Sequence, residues 1–209
     1  GGYCQVVAMP NTTPTLDSAP GLRALRDAAA QQARIPVGFM PAITRGLSGD
    51  ELTEMAELRE LGALGFTDDG KPVVAAEMLR KALQYQRLCG GVLALHEEEP
   101  GLSGDGAMHE GEVSARLGVA GIPSISESTM VARDAAIAGY EGGRVHMQHL
   151  SCIESVRAIA EAKSLGFRVS CEASPHHLCL TDEAVATLDT RMKMNPPLRT
   201  EADRQALIA

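Results

Sequence analysis

The chemistry this sequence can offer rests on its six histidines and the carboxylates near them. His96 closes one short apolar run and His149 closes another. Asp68 and Asp69 follow a third run, and His176 and His177 open the loop after the last. Imidazole and carboxylate groups converging at one mouth are the donors that a pair of Zn²⁺ ions takes. The chemistry would be metal-assisted hydrolysis, in which the metal lowers the pKa of a bound water and polarises a carbonyl. The plainer reading of His96 or His149 is a core histidine hydrogen-bonded to backbone. Two histidines at equivalent run ends, with an Asp pair at a third, bring the two readings level. His146 lies three residues before His149 on the same run, so it points to the opposite face and reads as structural. Glu97 to Glu99 reads as a solvated charge run.

These residues need elements to hold them. Six apolar runs alternate with amphipathic stretches. The runs are 3–9, 36–43, 63–66, 91–96, 144–150 and 167–173. The helical stretches are 21–33, 49–61, 74–89, 126–140 and 153–165. A longer insert separates the fourth run from its helix. Past 173 the regularity weakens, with a short helix near 181–187 and another from 200 onward. Short runs buried on both faces and joined by helical crossovers predict an α/β fold with a parallel sheet. Neither Gly-x-Gly-x-x-Gly nor the phosphate-binding Gly-x-x-x-x-Gly-Lys-Ser/Thr is present, so a nucleotide-binding open sheet lacks its signature. A (β/α)8 barrel has eight units in typically ~250 residues. Six units in 209 residues would be a barrel missing two. In either sheet type, function sits beyond the carboxyl ends of the strands, where the histidines and aspartates fall.

Composition removes several classes. The net charge of −8 argues against binding a phosphate backbone. Aromatics make up 3% with no Trp, which leaves no stacking platform for single strands. No apolar run reaches the roughly 18 residues of a membrane span. The five cysteines form no CxxC, Cys4 and Cys171 sit in apolar runs, and all read as small core residues of a reduced, cytoplasmic protein. The Asn11-Thr12-Thr13 sequon is read as accidental. The chain begins without Met, close to an apolar run, and ends in what reads as an unfinished helix, so an internal piece of a longer protein is expected.

Seven motifs in order carry a resemblance. They are residues 7–12 (VAMPNT), 65–70 (GFTDDG), 95–98 (LHEE), 111–118 (GEVSARLG), 145–149 (VHMQH), 174–178 (SPHHL) and 193–199 (KMNPPLR). Together they resemble the bacterial class I dihydroorotases of the amidohydrolase superfamily, over essentially the whole chain. The resemblance implies a partial TIM (β/α)8 barrel, with strands two to seven of eight. Residues 1–209 would be the central part of a single barrel lacking the first and last strands. It implies a zinc-dependent enzyme that reversibly cyclises N-carbamoyl-L-aspartate to dihydroorotate in pyrimidine biosynthesis, with a binuclear Zn²⁺ site. Asp69 matches the carboxylate that bridges the two metals, 27 residues before His96. His96 and His149 match metal-binding histidines. Asn11 and Asn195 match amides that bind substrate. No role follows for His176 or His177. The resemblance allows a homodimer, or association with aspartate transcarbamoylase, as partners.

The departures shape the expectation. The family's His-x-His-x-Arg motif and its Asp-His-Ala-Pro motif, whose Asp is the general acid/base, are absent and would lie before Gly1 and beyond Ala209. The 209 residues alone are therefore expected to be inactive and poorly soluble. His109 stands where relatives usually have Asn, read as a change of little consequence. Two alternatives remain. One is another cyclic-amide hydrolase, an allantoinase or dihydropyrimidinase, which would use a carbamylated Lys at the bridging position. The other is a non-catalytic dihydroorotase-like scaffold.

Overall fold

The computed structural model describes residues 2–209. Their contacts divide into two compact units: Gly1–His96 with Tyr140–His146, and Glu97–Gly139 with Met147–Ala209.

In the first unit, β1 (Val6–Ala8) pairs in parallel with β2 (Val37–Phe39), and α1 (Ala19–Gln32) connects them. The chain then bends through a 3-10 turn at Arg45–Leu47 before α2 (Met55–Glu60). β3 (Phe66–Thr67) pairs in parallel with β4 (Leu93–Leu95) across α3 (Ala76–Cys89). Backbone bonds from Leu64 N to Phe39 O (2.9 Å) and Thr67 N to Pro41 O (3.0 Å) join the β2 and β3 segments. Five of the six expected runs hold a strand shorter than the run, and the third, 63–66, meets β3 only at Phe66; Cys4 and Cys171, expected as core residues, are exposed. Gly65 is required where β3 begins, because a Cβ there would collide with the Val92 carbonyl oxygen. α3 buries Leu79, Ala82, Leu83 and Gln86, an i, i+3, i+4, i+7 stripe. Each buried leucine contributes about 2 kcal/mol from area removed from water. Gln86 fits this apolar stripe because both ends of its amide are used. Its Nε2 donates to Arg144 O (2.6 Å), and its Oε1 accepts from Arg144 N (2.8 Å). That ties α3 to the start of β7 (Arg144–Met147).

The expected helix over 49–61 forms only from Met55. Residues 51–53 turn back instead onto the end of the β2 segment. Thr44 bridges Leu52, Thr53 N donates to Ile43 O (3.0 Å), and the Thr53 hydroxyl donates to Ala42 O (2.8 Å). A Ser-Gly-Asp start signal has lost here to tertiary hydrogen bonding.

The second unit opens with the insert, which carries more structure than its sequence suggested. α4 (Pro100–Ser103) and α5 (Glu112–Leu117) flank β5 (Met108–His109), which pairs in parallel with β6 (Gly121–Ile122). α6 (Ile125–Glu141) follows, then α7 (Ile153–Ser164), β8 (Arg168–Cys171), α8 (Pro175–Cys179), a 3-10 stretch at Asp182–Thr187 and α9 (Glu201–Ile208). The buried stripe of α6 reads Ser126, Glu127, Met130, Val131, Asp134, Ala135, Ala138 and Glu141. Its helical spacing is ordinary, but three of its eight members are carboxylates that must find partners. Among the described residues no helix is long and apolar enough to cross a membrane.

Candidate functional site

The two adjacent aspartates after β3 have different surroundings. Asp68 is 3% exposed and faces inward. It accepts from Ile43 N (2.8 Å), Thr44 N (3.0 Å) and the Thr44 hydroxyl (2.5 Å). Burial raises its pKa, and these hydrogen bonds pull it back. Asp68 thus clamps the end of the β2 segment onto the end of β3, and its oxygens are committed to that work. Asp69 turns the other way and is half-buried. Its Oδ2 accepts from Asn11 Nδ2 at 2.6 Å, and its backbone N–H donates to the Thr67 hydroxyl (3.1 Å). Burial raises the Asp69 pKa and the charge of His96 lowers it. The first unit therefore brings Asn11, Asp69 and His96 together. His96 follows β4 directly and is buried. A carboxylate facing an imidazole, with an amide holding the carboxylate, is donor chemistry of the kind zinc takes.

The second unit holds His149 and Asn195. The strand that should have ended at His149 ends at Met147 instead. His149 lies beyond it with φ +38°, a left-handed conformation uncommon for a residue with a side chain. The strand-parity argument that set His146 and His149 on opposite faces therefore does not apply. Asn195 Nδ2 donates to Glu98 Oε2 (2.8 Å), beside a cavity of about 400 Å³ that Lys193 also lines. Among the described residues no group of three His, Cys, Asp or Glu side chains is placed to hold a metal ion. The pair Asp69 and His96 has suitable donor chemistry without making a complete site.

The acidic run after His96 is not a solvated loop. Glu97 is 2% exposed, and Glu99 caps α4 by accepting from Gly101 N (3.1 Å). Burial, with the nearby carboxylates Asp134 and Glu127, pushes the Glu97 pKa well up. Those surroundings favour the neutral carboxylic acid at Glu97. Asp134 in turn is gripped by Arg133 through Nε (2.5 Å) and Nη2 (3.2 Å). One of the inward carboxylates of α6 is thereby accommodated.

Sequence reasoning missed a second buried group. Ser151 donates to Glu127 from both its backbone N–H (3.0 and 3.1 Å) and its hydroxyl. Arg199 donates to Ser151 Oγ (3.1 Å), Ile122 O (2.6 Å) and His109 Nδ1 (3.1 Å). His109 is therefore no idle loop residue. Only the placement of Arg199 inside the 193–199 motif hinted at this. His177 is 3% exposed and hydrogen-bonds through Nε2 to Pro196 O (2.9 Å), which gives the unassigned histidine a place beside Asn195.

Solved structures share this architecture. An L-hydantoinase (dihydropyrimidinase) from Arthrobacter aurescens matches with a TM-score of 0.81 at 22% identity, over 99% of this chain and 47% of that one. A dihydropyrimidinase from Brevibacillus agri matches with a TM-score of 0.77 at 21% identity, over 99% and 47%. The class is thus an α/β fold with parallel sheets, of the hydantoinase barrel type. A family model described as Dihydro-orotase-like matches residues 1–155, and the chain belongs to that family. Proteins called dihydroorotase from Desulfotalea psychrophila and Pelotomaculum thermopropionicum are 46% and 47% identical over 209 and 207 residues. Each alignment covers 99% of this chain, which spans about half the length of these curated relatives, 49% and 48%.

Proposed function

We propose that the chain is the central part of a zinc-dependent dihydroorotase, strands two to seven of a (β/α)8 barrel. The complete protein interconverts N-carbamoyl-L-aspartate and dihydroorotate in the cytoplasm. The observation that carries this reading is Asp69: it leaves β3 toward Asn11 and His96, while its neighbour Asp68 is spent on structure. Asp69, His96 and His149 are the metal ligands this chain contributes. Asn11 and Asn195 bind substrate, and the general acid/base is an Asp beyond Ala209. Bound zinc would supply an activated water and a polarised ring carbonyl. Asn11 holds the Asp69 carboxylate in one orientation, and a short bidentate anion at that point can serve two metals. Asn195, on an exposed loop beside the cavity, offers a carboxamide to the substrate's carboxylate or ring edge.

The fold neighbours favour a second reading, a hydantoinase or dihydropyrimidinase. Those enzymes would need a carbamylated Lys where this strand delivers Asp69. Lys71, the nearby lysine, is exposed past the turn. The decisive experiment gives the zinc-loaded full-length protein dihydroorotate, hydantoin and dihydrouracil in parallel. Turnover of dihydroorotate, lost in Asp69→Asn and His96→Ala, supports the proposal. Turnover of only the other two rings sinks it, as does no turnover at all. The 209 residues alone should show no turnover and no pair of tight zinc sites on titration.

A further inference from the structure

We propose that Glu127, Ser151 and Arg199 form a positioning relay that fixes the backbone at His149, the residue read above as a metal ligand. The inference rests on that reading and adds what holds the ligand in place.

His149 sits in a strained left-handed conformation. Such a residue persists only where its surroundings over-determine it, at a cost of about 1–3 kcal/mol. Both following residues are pinned through their backbone N–H groups. Leu150 N donates to Glu172 O (2.9 Å), beside β8, and Ser151 N donates to Glu127, on α6. The Ser151 hydroxyl then links two buried charges. It donates to Glu127 and accepts from Arg199 Nε, so carboxylate and guanidinium meet through one serine. Glu127, Ser151 and Arg199 are 2%, 1% and 3% exposed. The remaining Arg199 bonds, to Ile122 O and His109 Nδ1, fix the guanidinium plane against the β5–β6 pair. Three segments of the second unit thus converge on the two residues that follow His149, with the β5–β6 pair behind the third. A relay serving stability alone would have no need to end on the loop that carries a strained histidine.

Partners behind a metal ligand typically cost 10–100-fold in metal affinity when removed. Ser151→Ala keeps the backbone bond to Glu127 and deletes the link to Arg199. Arg199→Lys keeps the charge but loses the planar fork whose Nε and Nη1 reach Ser151, Ile122 and His109. The control is Gln86→Ala, which removes two buried hydrogen bonds in the first unit. Each variant of the full-length protein is loaded with zinc and titrated with a chelator, then loaded with Co²⁺ for its visible spectrum. We expect Ser151→Ala and Arg199→Lys to weaken zinc binding roughly ten-fold and to change the cobalt spectrum. Gln86→Ala should leave both unchanged. If one of the two variants does not fold, the other decides. The relay is refuted if affinity and spectrum stay at wild type while His149→Ala loses both. It is also refuted if Gln86→Ala weakens binding equally. If His149→Ala itself keeps both, the reading of His149 as a ligand fails, and the relay with it.

Discussion

Acid should destabilise this fold through His177 by an amount that can be worked out. The ring is buried, its Nε2–H donates to Pro196 O, and its Nδ1 is buried without a hydrogen-bond partner. Protonating Nδ1 would put a charged N–H where no acceptor waits, next to the His176 ring (centroids 4.4 Å apart) and near Arg199. Burial, with those two neighbours, pulls the His177 pKa from 6.5 down to about 4, against the hydrogen bonds to the backbone at Pro196 and Pro197. The folded state therefore keeps His177 neutral where the unfolded chain takes up a proton. Stability from this group is complete above pH 6.5 and falls as pH drops toward 4. The full difference is about 3 kcal/mol, of which about 2 kcal/mol should be gone by pH 5. The assay is urea unfolding of the full-length protein from pH 7.5 to 4.5, for wild type and for His177→Gln. The glutamine keeps a donor and cannot titrate, so subtraction cancels every other group. The variant should be the less stable at pH 7.5, and the gap should close by about 2 kcal/mol by pH 5. Parallel curves across the whole range would refute the argument, because the folded and unfolded states would then bind the same number of protons at His177.

Three further outcomes follow from single contacts. Asp68→Ala strands three buried donors at Ile43 and Thr44 and should cost about 3 kcal/mol by chemical unfolding, with Asp68→Asn costing less. Gly65→Ala drives a methyl into the Val92 carbonyl and should lower stability by about 1–3 kcal/mol, measured the same way. Gln86→Ala leaves both backbone groups of Arg144 without their side-chain partners. Amide exchange at Arg144 should then speed up while that at Met130, on α6, is unchanged.

The alternation of strand and helix was legible because it depends on local period. The run at 91–96 is apolar on both faces up to His96, 144–150 alternates apolar Val145 and Met147 with polar neighbours, and α3 and α7 have regular buried stripes. What escaped was structure made by distant partners. The helix start at 48–50 yielded to bonds between 51–53 and 42–45 that neither the helical nor the strand period encodes. The β5–β6 pair is two residues a side, too short for any alternation to register, and Gly106 and Gly121 at its edge mark close approach more than they mark strand.

The candidate residues show the same division more sharply, because one residue type can serve either purpose. Spacing favoured Asp69 over Asp68, and the structure shows why the pair must split: one aspartate binds the scaffold so that its neighbour is presented outward. The acidic run at 97–99 looked like solvent-facing charge since nothing in its composition reveals that Glu97 is buried near Asp134 and Glu127. Similarly, Glu127 and Asp134 look like exposed helix carboxylates until they are seen to lie on the same stripe as Met130, Val131, Ala135 and Ala138. The period of α6 already contained that clue. A carboxylate on the apolar stripe of a helix must have a partner: Asp134 takes Arg133, and Glu127 takes Ser151, two residues past a candidate histidine. Buried polar groups in this chain thus trace the support behind the proposed ligands, and the positions where charge breaks an apolar stripe are where a sequence shows such support.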